Sequence, residues 1–101
     1  MLSLEVHPSA LLEVEEARKY YEDYSPDLAR LYLDEIDAAI EKIVQSPKGW
    51  LNYMYGTKRF LVHRFPFAVI YRVTNDSIQI VAVAHLSRRP FYWIERTIGQ
   101  H

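Results

Sequence analysis

The chain is 101 residues long, half of them apolar and 14% aromatic, which suffices for one domain with a sizeable core and leaves no room for a second. Its lack of cysteine excludes disulfide scaffolds, cysteine-ligated zinc, iron–sulfur clusters and thiol nucleophiles. The formal charge of -1 conceals an asymmetry: residues 1–56 carry five Lys/Arg against eleven Asp/Glu, net -6, and residues 57–101 carry seven against two, net +5. A basic half of this kind commonly faces an anionic partner. No stretch approaches the roughly 18–20 apolar residues of a membrane helix, and the start Met1-Leu2-Ser3-Leu4-Glu5 lacks the regions of a signal peptide. The expectation is a single cytoplasmic domain spanning 1–101, with no membrane association.

Leu2, Leu4 and Val6 alternate with Ser3 and Glu5, the period of a short half-buried strand. His7-Pro8-Ser9 ends it, and Ala10, Leu11, Val14, Ala17, Arg18 and Tyr21 then recur at helical spacing, predicting a helix from near Pro8 to Tyr24. Its other face is read as Glu13, Glu16, Lys19, Glu22 and Asp23. Ser25-Pro26-Asp27 supplies a capping hydroxyl, a first-turn proline and an acid at the positive end of the dipole, so a second helix runs to Ser46-Pro47. The short turn between them predicts an antiparallel hairpin.

Residues 46–56 form a loop rich in large side chains, expected to lie against the body. Strands are predicted over Arg59–Phe65, Phe67–Val73 and Ile78–His85, separated by Pro66 and by Thr74-Asn75-Asp76-Ser77. The middle strand is largely apolar on both faces, with Arg72 on one of them, and is therefore expected to be central. A last helix is predicted over Phe91–Ile98, capped by serine or arginine with Pro90 at its start. The fold class is α+β: a helical hairpin on one face of a small antiparallel sheet, in the order β-α-α-β-β-β-α.

The acids of the two helices read as a solvated face, and with no His-x-x-x-His or Glu-x-x-His spacing neither a metal site nor a cofactor is expected. The basic half is richer. Lys58, Arg59, His63, Arg64, Arg72, His85, Arg88, Arg89, Tyr92, Trp93 and Arg96 fall on strands, strand ends or the last helix. Cations on the sheet face away from the helices would form a basic concavity, and guanidinium with aromatic groups suits phosphate and bases. Phosphodiester cleavage needs a proton acceptor, a proton donor for the leaving oxygen and a cation at the phosphorane, roles open to His85, Tyr92 and Arg88 or Arg89. The plainer alternatives are a hydrogen-bonded structural His85, an exposed Arg88-Arg89 connection, and Tyr92 and Trp93 as packing residues.

Tyr20-Tyr21-Glu22, Ser25-Pro26-Asp27-Leu28-Ala29, Glu35-Ile36-Asp37-Ala38-Ala39-Ile40, Ser46-Pro47, Arg64-Phe65-Pro66-Phe67-Ala68-Val69-Ile70-Tyr71, Ala82-Val83-Ala84-His85 and Arg88-Arg89-Pro90-Phe91-Tyr92-Trp93 follow one another in this order. The run resembles the RelE/ParE superfamily of type II toxin–antitoxin toxins over essentially the whole chain. The resemblance implies a small bacterial toxin neutralised by a cognate antitoxin. RelE-like members cut messenger RNA on the ribosome without metal; ParE-like members inhibit DNA gyrase. RelE-like enzymes commonly carry arginine at the position of Ala68, whereas His85, Arg88 or Arg89, and Tyr92 match the region that some ribonuclease members use. The ending Arg-Pro-Phe-Tyr-Trp looks like the ParE or plasmid stabilisation branch. The leading expectation is a ParE-like toxin acting by binding, with gyrase its target. A RelE-like ribonuclease using His85, Arg88, Arg89 and Tyr92, and an inactive member acting as a binding or regulatory protein, are the alternatives. Arg59, Arg64, Arg89, Trp93 and Arg96 are the expected contacts to target or antitoxin.

Overall fold

A computed structural model describes residues 2–98, with the elements β1 (Ser3–Val6), α1 (Pro8–Glu22), α2 (Pro26–Gln45), a short 3-10 turn (Met54–Gly56), β2 (Lys58–Leu61), β3 (Phe67–Val73), β4 (Ser77–His85) and α3 (Ile94–Ile98). The order β-α-α-β-β-β-α is the one the sequence predicts. Each long helix starts on a specific cap. His7 Nδ1 accepts the Ser9 N–H at 3.0 Å before Pro8 opens α1, and Ser25 Oγ accepts the Leu28 N–H at 3.1 Å before Pro26 opens α2. At the far end of α2, the Lys42 carbonyl accepts both the Ser46 N–H and the Trp50 indole N–H, each at 3.2 Å, so the loop after the helix is tied to its last turn.

The four strands lie in the order β1-β4-β3-β2, so β3 is central as expected. Strands β2, β3 and β4 are antiparallel, but β1 joins the β4 edge in parallel, with Ser3 opposite Ser77 and Val6 opposite Ile80. The wholly antiparallel sheet of the sequence reading is corrected here to a mixed one. The helical hairpin intervenes between β1 and the other strands, and such a crossover permits parallel pairing where a tight turn forbids it.

The hairpin covers one face of this sheet. Ala10 of α1 and Tyr32, Ile36, Ala39 and Ile43 of α2 meet Phe67, Val69 and Tyr71 of β3 and Ile78, Ile80 and Val83 of β4 in the main core. Burying each large aliphatic or aromatic side chain contributes about 1.5–3 kcal/mol. Within it the Tyr32 hydroxyl has no hydrogen-bond partner, and burial pushes its ionisation well above the usual phenol range.

The opposite face differs from expectation. Instead of an open basic concavity, it holds a second apolar cluster of Ala68, Ile70, Val81, Ala82, Ala84 and Trp93, with Tyr53, Phe91, Tyr92 and Ile94 against it. Small alanines on the strands leave room for the aromatic rings of the 46–56 loop and the C-terminal segment, which displaces the cations to the rim. Arg59, for example, lies 5.3 Å over the Tyr53 ring.

Two boundaries also move. Strand β2 stops at Leu61 instead of Phe65, because Arg64 adopts φ 71 and Pro66 has no N–H to donate. Helix α3 begins at Ile94 instead of Phe91, whose φ of 62 is incompatible with a right-handed helix; Pro90 therefore starts a turn and not the helix.

Candidate functional site

Strand β4 has nine residues and β1 only four, so β1 pairs only with Ser77–Ile80 and the remainder of that edge has no strand beside it. Unpaired backbone at a buried edge must find other partners. Glu13 of α1 supplies one: its Oε1 accepts the Val83 N–H at 3.0 Å. The same carboxylate takes Arg96 through both guanidinium nitrogens, Nη1 to Oε1 at 2.9 Å and Nη2 to Oε2 at 3.1 Å, and its Oε2 accepts the Tyr92 hydroxyl. Arg96 Nη1 also donates to the Val81 carbonyl at 3.2 Å. Glu13 and Arg96 side chains are 12% and 17% exposed. One carboxylate thus ties α1, the open edge of β4 and the C-terminal segment together.

The assignment of Glu13 to a solvated helix face is therefore corrected. Ala10, Glu13 and Ala17 lie on one side of α1, and that spacing was the signal available in the sequence. Arg96, expected as a contact to a partner, is instead committed to Glu13. Trp93, expected on the same surface, is 2% exposed and belongs to the second apolar cluster with Ala68, Ile70 and Ala84, because the turn before α3 folds it back onto the sheet.

A β-bulge decides which way His85 faces. Ile70 pairs with Ala82 and Tyr71 with Ile80, which leaves Val81 without an opposite residue. Alternation shifts by one residue there: Val81 and Ala82 both join the outer cluster, and His85 arrives on the α1 side, its ring 5.0 Å from that of Phe67. His85 Nδ1 accepts the Ser87 N–H at 3.0 Å and lies 2.6 Å from Ser87 Oγ. With Nδ1 accepting, the neutral ring carries its hydrogen on Nε2.

Tyr92 completes the arrangement. Burial first, and then the bond to the Glu13 carboxylate, raises its hydroxyl well above the usual phenol range. The Arg88 guanidinium lies 4.1 Å from the ring centroid and that of Arg96 lies 5.2 Å away. His85, Arg88 and Tyr92 stand together between two depressions. A cavity of about 350 Å³ opens toward α1, with Ala17, Tyr21, Phe67 and Val83 in its walls. A groove of about 170 Å³ opens on the outer sheet face, floored by Ala68 and Ile70 and bordered by Arg59 and Arg89.

Of the sequence-predicted residues, the structure thus brings His85, Arg88 and Tyr92 to one place and Arg89 and Arg59 to the outer groove. Arg64 borders a different depression, between α2 and β2, where its Nε lies 3.5 Å from Glu35 and His63 Nδ1 lies 3.3 Å from the same oxygen. Among the described residues, no group of three or more His, Asp or Glu side chains is placed to hold a metal ion, and no helix is long and apolar enough to cross a membrane.

Residues 4–90 match a family profile described as "ParE toxin of type II toxin-antitoxin system, parDE". The chain is 33% identical over 88 residues to Toxin ParE2 of Mycobacterium tuberculosis, in strain CDC 1551 / Oshkosh and in strain ATCC 25618 / H37Rv; each alignment covers 86% of this chain and 84% of the relative. A solved structure titled "Chromosomal ParDE TA system from P. aeruginosa" superposes with a TM-score of 0.77 at 21% identity, covering 86% of this chain and 98% of the other, and so shares the fold. The chain belongs to the ParE toxin family of type II toxin–antitoxin systems.

Proposed function

We propose that this toxin acts in the bacterial cytoplasm by binding an essential protein target, DNA gyrase, and that a cognate antitoxin neutralises it. The observation that carries the binding reading is the commitment of Tyr92. Its hydroxyl already donates into Glu13, and the outer groove is floored by the neutral Ala68. A ribonuclease built there would lack both a free phenol and a central cation at the phosphorane, and each missing transition-state contact typically costs on the order of 10²–10³ in rate. The antitoxin is supported by the toxin–antitoxin pairs named in the matching family and in the solved relative.

The convergence of His85, Arg88 and Tyr92 favours a metal-independent, ribosome-dependent ribonuclease as the second reading. Induced expression without antitoxin, followed by supercoiling with purified gyrase and primer extension on translated messages, separates the two. Inhibited supercoiling with intact messages is the expected result. Cleaved messages with normal supercoiling would replace this reading by the ribonuclease, and normal growth would leave a binding or regulatory member of the family.

A further inference from the structure

The Arg88 guanidinium is held in place without a carboxylate partner. Its face stacks on Tyr92 at 4.1 Å, and Tyr92 is itself fixed by its hydroxyl bond to Glu13 and by Arg96 5.2 Å from its ring. Among the described residues no acidic side chain lies within salt-bridge distance of Arg88. A guanidinium pinned by one face still presents its planar N–H fork, the geometry that takes a carboxylate with two bonds. Immediately beside it lies the cavity of about 350 Å³, large enough for one bulky side chain, where Ala17, Tyr21, Phe67 and Val83 form an apolar wall and Glu13, Glu16 and His85 add polar groups.

We infer that this cavity and Arg88 form a two-point socket for a protein segment that carries a large apolar side chain next to a carboxylate. The apolar group fills the space between α1 and β4, and the carboxylate pairs with Arg88. Charge decides between a peptide and a nucleic acid. Glu13 and Glu16 of α1 line the same cavity, so a polyphosphate chain crossing the socket meets repulsion. A single carboxylate entering from the Arg88 side avoids them. The socket rests on the reading of this chain as a toxin that acts through protein contacts, and names the chemistry by which one such contact is made.

The test is titration of the ¹⁵N-labelled full chain, followed by amide chemical shifts, which is independent of growth arrest. The probes are capped peptides containing Phe-Glu or Glu-Phe, the same peptides with Gln for Glu, and a uridine hexanucleotide. The Glu peptides should shift the Ala17, Tyr21, Val83 and Ser87 amides, and the Gln peptides should bind weaker by on the order of fivefold, the worth of one well-oriented exposed ion pair. Arg88→Gln should abolish the Glu preference while keeping the shifts at Tyr21 and Val83; Tyr92→Phe should reduce the preference. Ala17→Trp, which fills the cavity, should remove binding of every peptide. Equal affinity for Glu and Gln peptides, no shift at any of the four amides, or the hexanucleotide moving those four amides would overturn the socket. Any of these would leave the gyrase reading standing, because supercoiling and growth arrest decide that separately.

Discussion

Replacing Glu13 by glutamine keeps the size and reach of the side chain but removes its charge and one of its two equivalent acceptor oxygens. In the native structure those oxygens receive the Val83 N–H, both Arg96 nitrogens and the Tyr92 hydroxyl. An amide cannot accept all four, and its NH₂ group faces donors. Arg96, 17% exposed, is left without its counter-charge. Removing one partner of a fully buried pair typically costs 3–5 kcal/mol, and the residual exposure here brings the expected loss to about 2–4 kcal/mol. For a domain of this size that lowers Tm by on the order of 10–20 °C. The assay is thermal unfolding by circular dichroism alongside hydrogen exchange at the Val83 amide, which should lose protection because the β4 edge loses its acceptor. Glu15→Gln, at an exposed pair with Arg18, is the control and should leave Tm within error. A Glu13→Gln variant with Tm within about 2 °C of wild type and an unchanged Val83 amide would refute the role assigned to this carboxylate.

Three further outcomes are expected. Ser25→Ala removes the acceptor for the Leu28 N–H and should cost about 1 kcal/mol, read from the urea midpoint at constant m. Burial pushes the Tyr71 hydroxyl up to about 12, above its ordinary value of 10.0. The unfolded chain therefore ionises first: the stability Tyr71 contributes is complete below about pH 10 and is lost as pH rises to about 12, so urea midpoints should fall across that window and fall less steeply in Tyr71→Phe. Reversing Arg64 and Arg89 to Glu should weaken binding to an antitoxin encoded in the adjacent reading frame, with the loss shrinking as salt rises; affinity unchanged by the double reversal would exclude residues 57–101 as the antitoxin surface.

Local signals carried most of the architecture. Ser25-Pro26-Asp27 and the three- and four-residue spacing behind it define α2 wherever it packs, since a cap, a first-turn proline and an apolar stripe act within one helix. The centrality of β3 was legible in the apolar run Phe67–Val73, because a strand with two apolar faces must be covered on both. The ends of β2 and α3 were not, because Arg64 and Phe91 take positive φ values that nothing in their residue type announces.

The sequence by itself determined the order β-α-α-β-β-β-α, the helix starts, the acidic and basic halves and the family resemblance, all properties of neighbours along the chain or of the run as a whole. Only the tertiary structure decided what the charges do. The single unpaired residue Val81 turned His85 toward α1, and the mismatch in length between β1 and β4 left an edge that drew Glu13, Arg96 and Tyr92 into one buried cluster. Glu13 and Arg96 lie 83 residues apart, so no local pattern couples them; the unmet hydrogen bonds of a strand edge do. Part of the basic half is consequently internal, while Arg88 is pinned on Tyr92 and Arg59 and Arg89 border the outer groove.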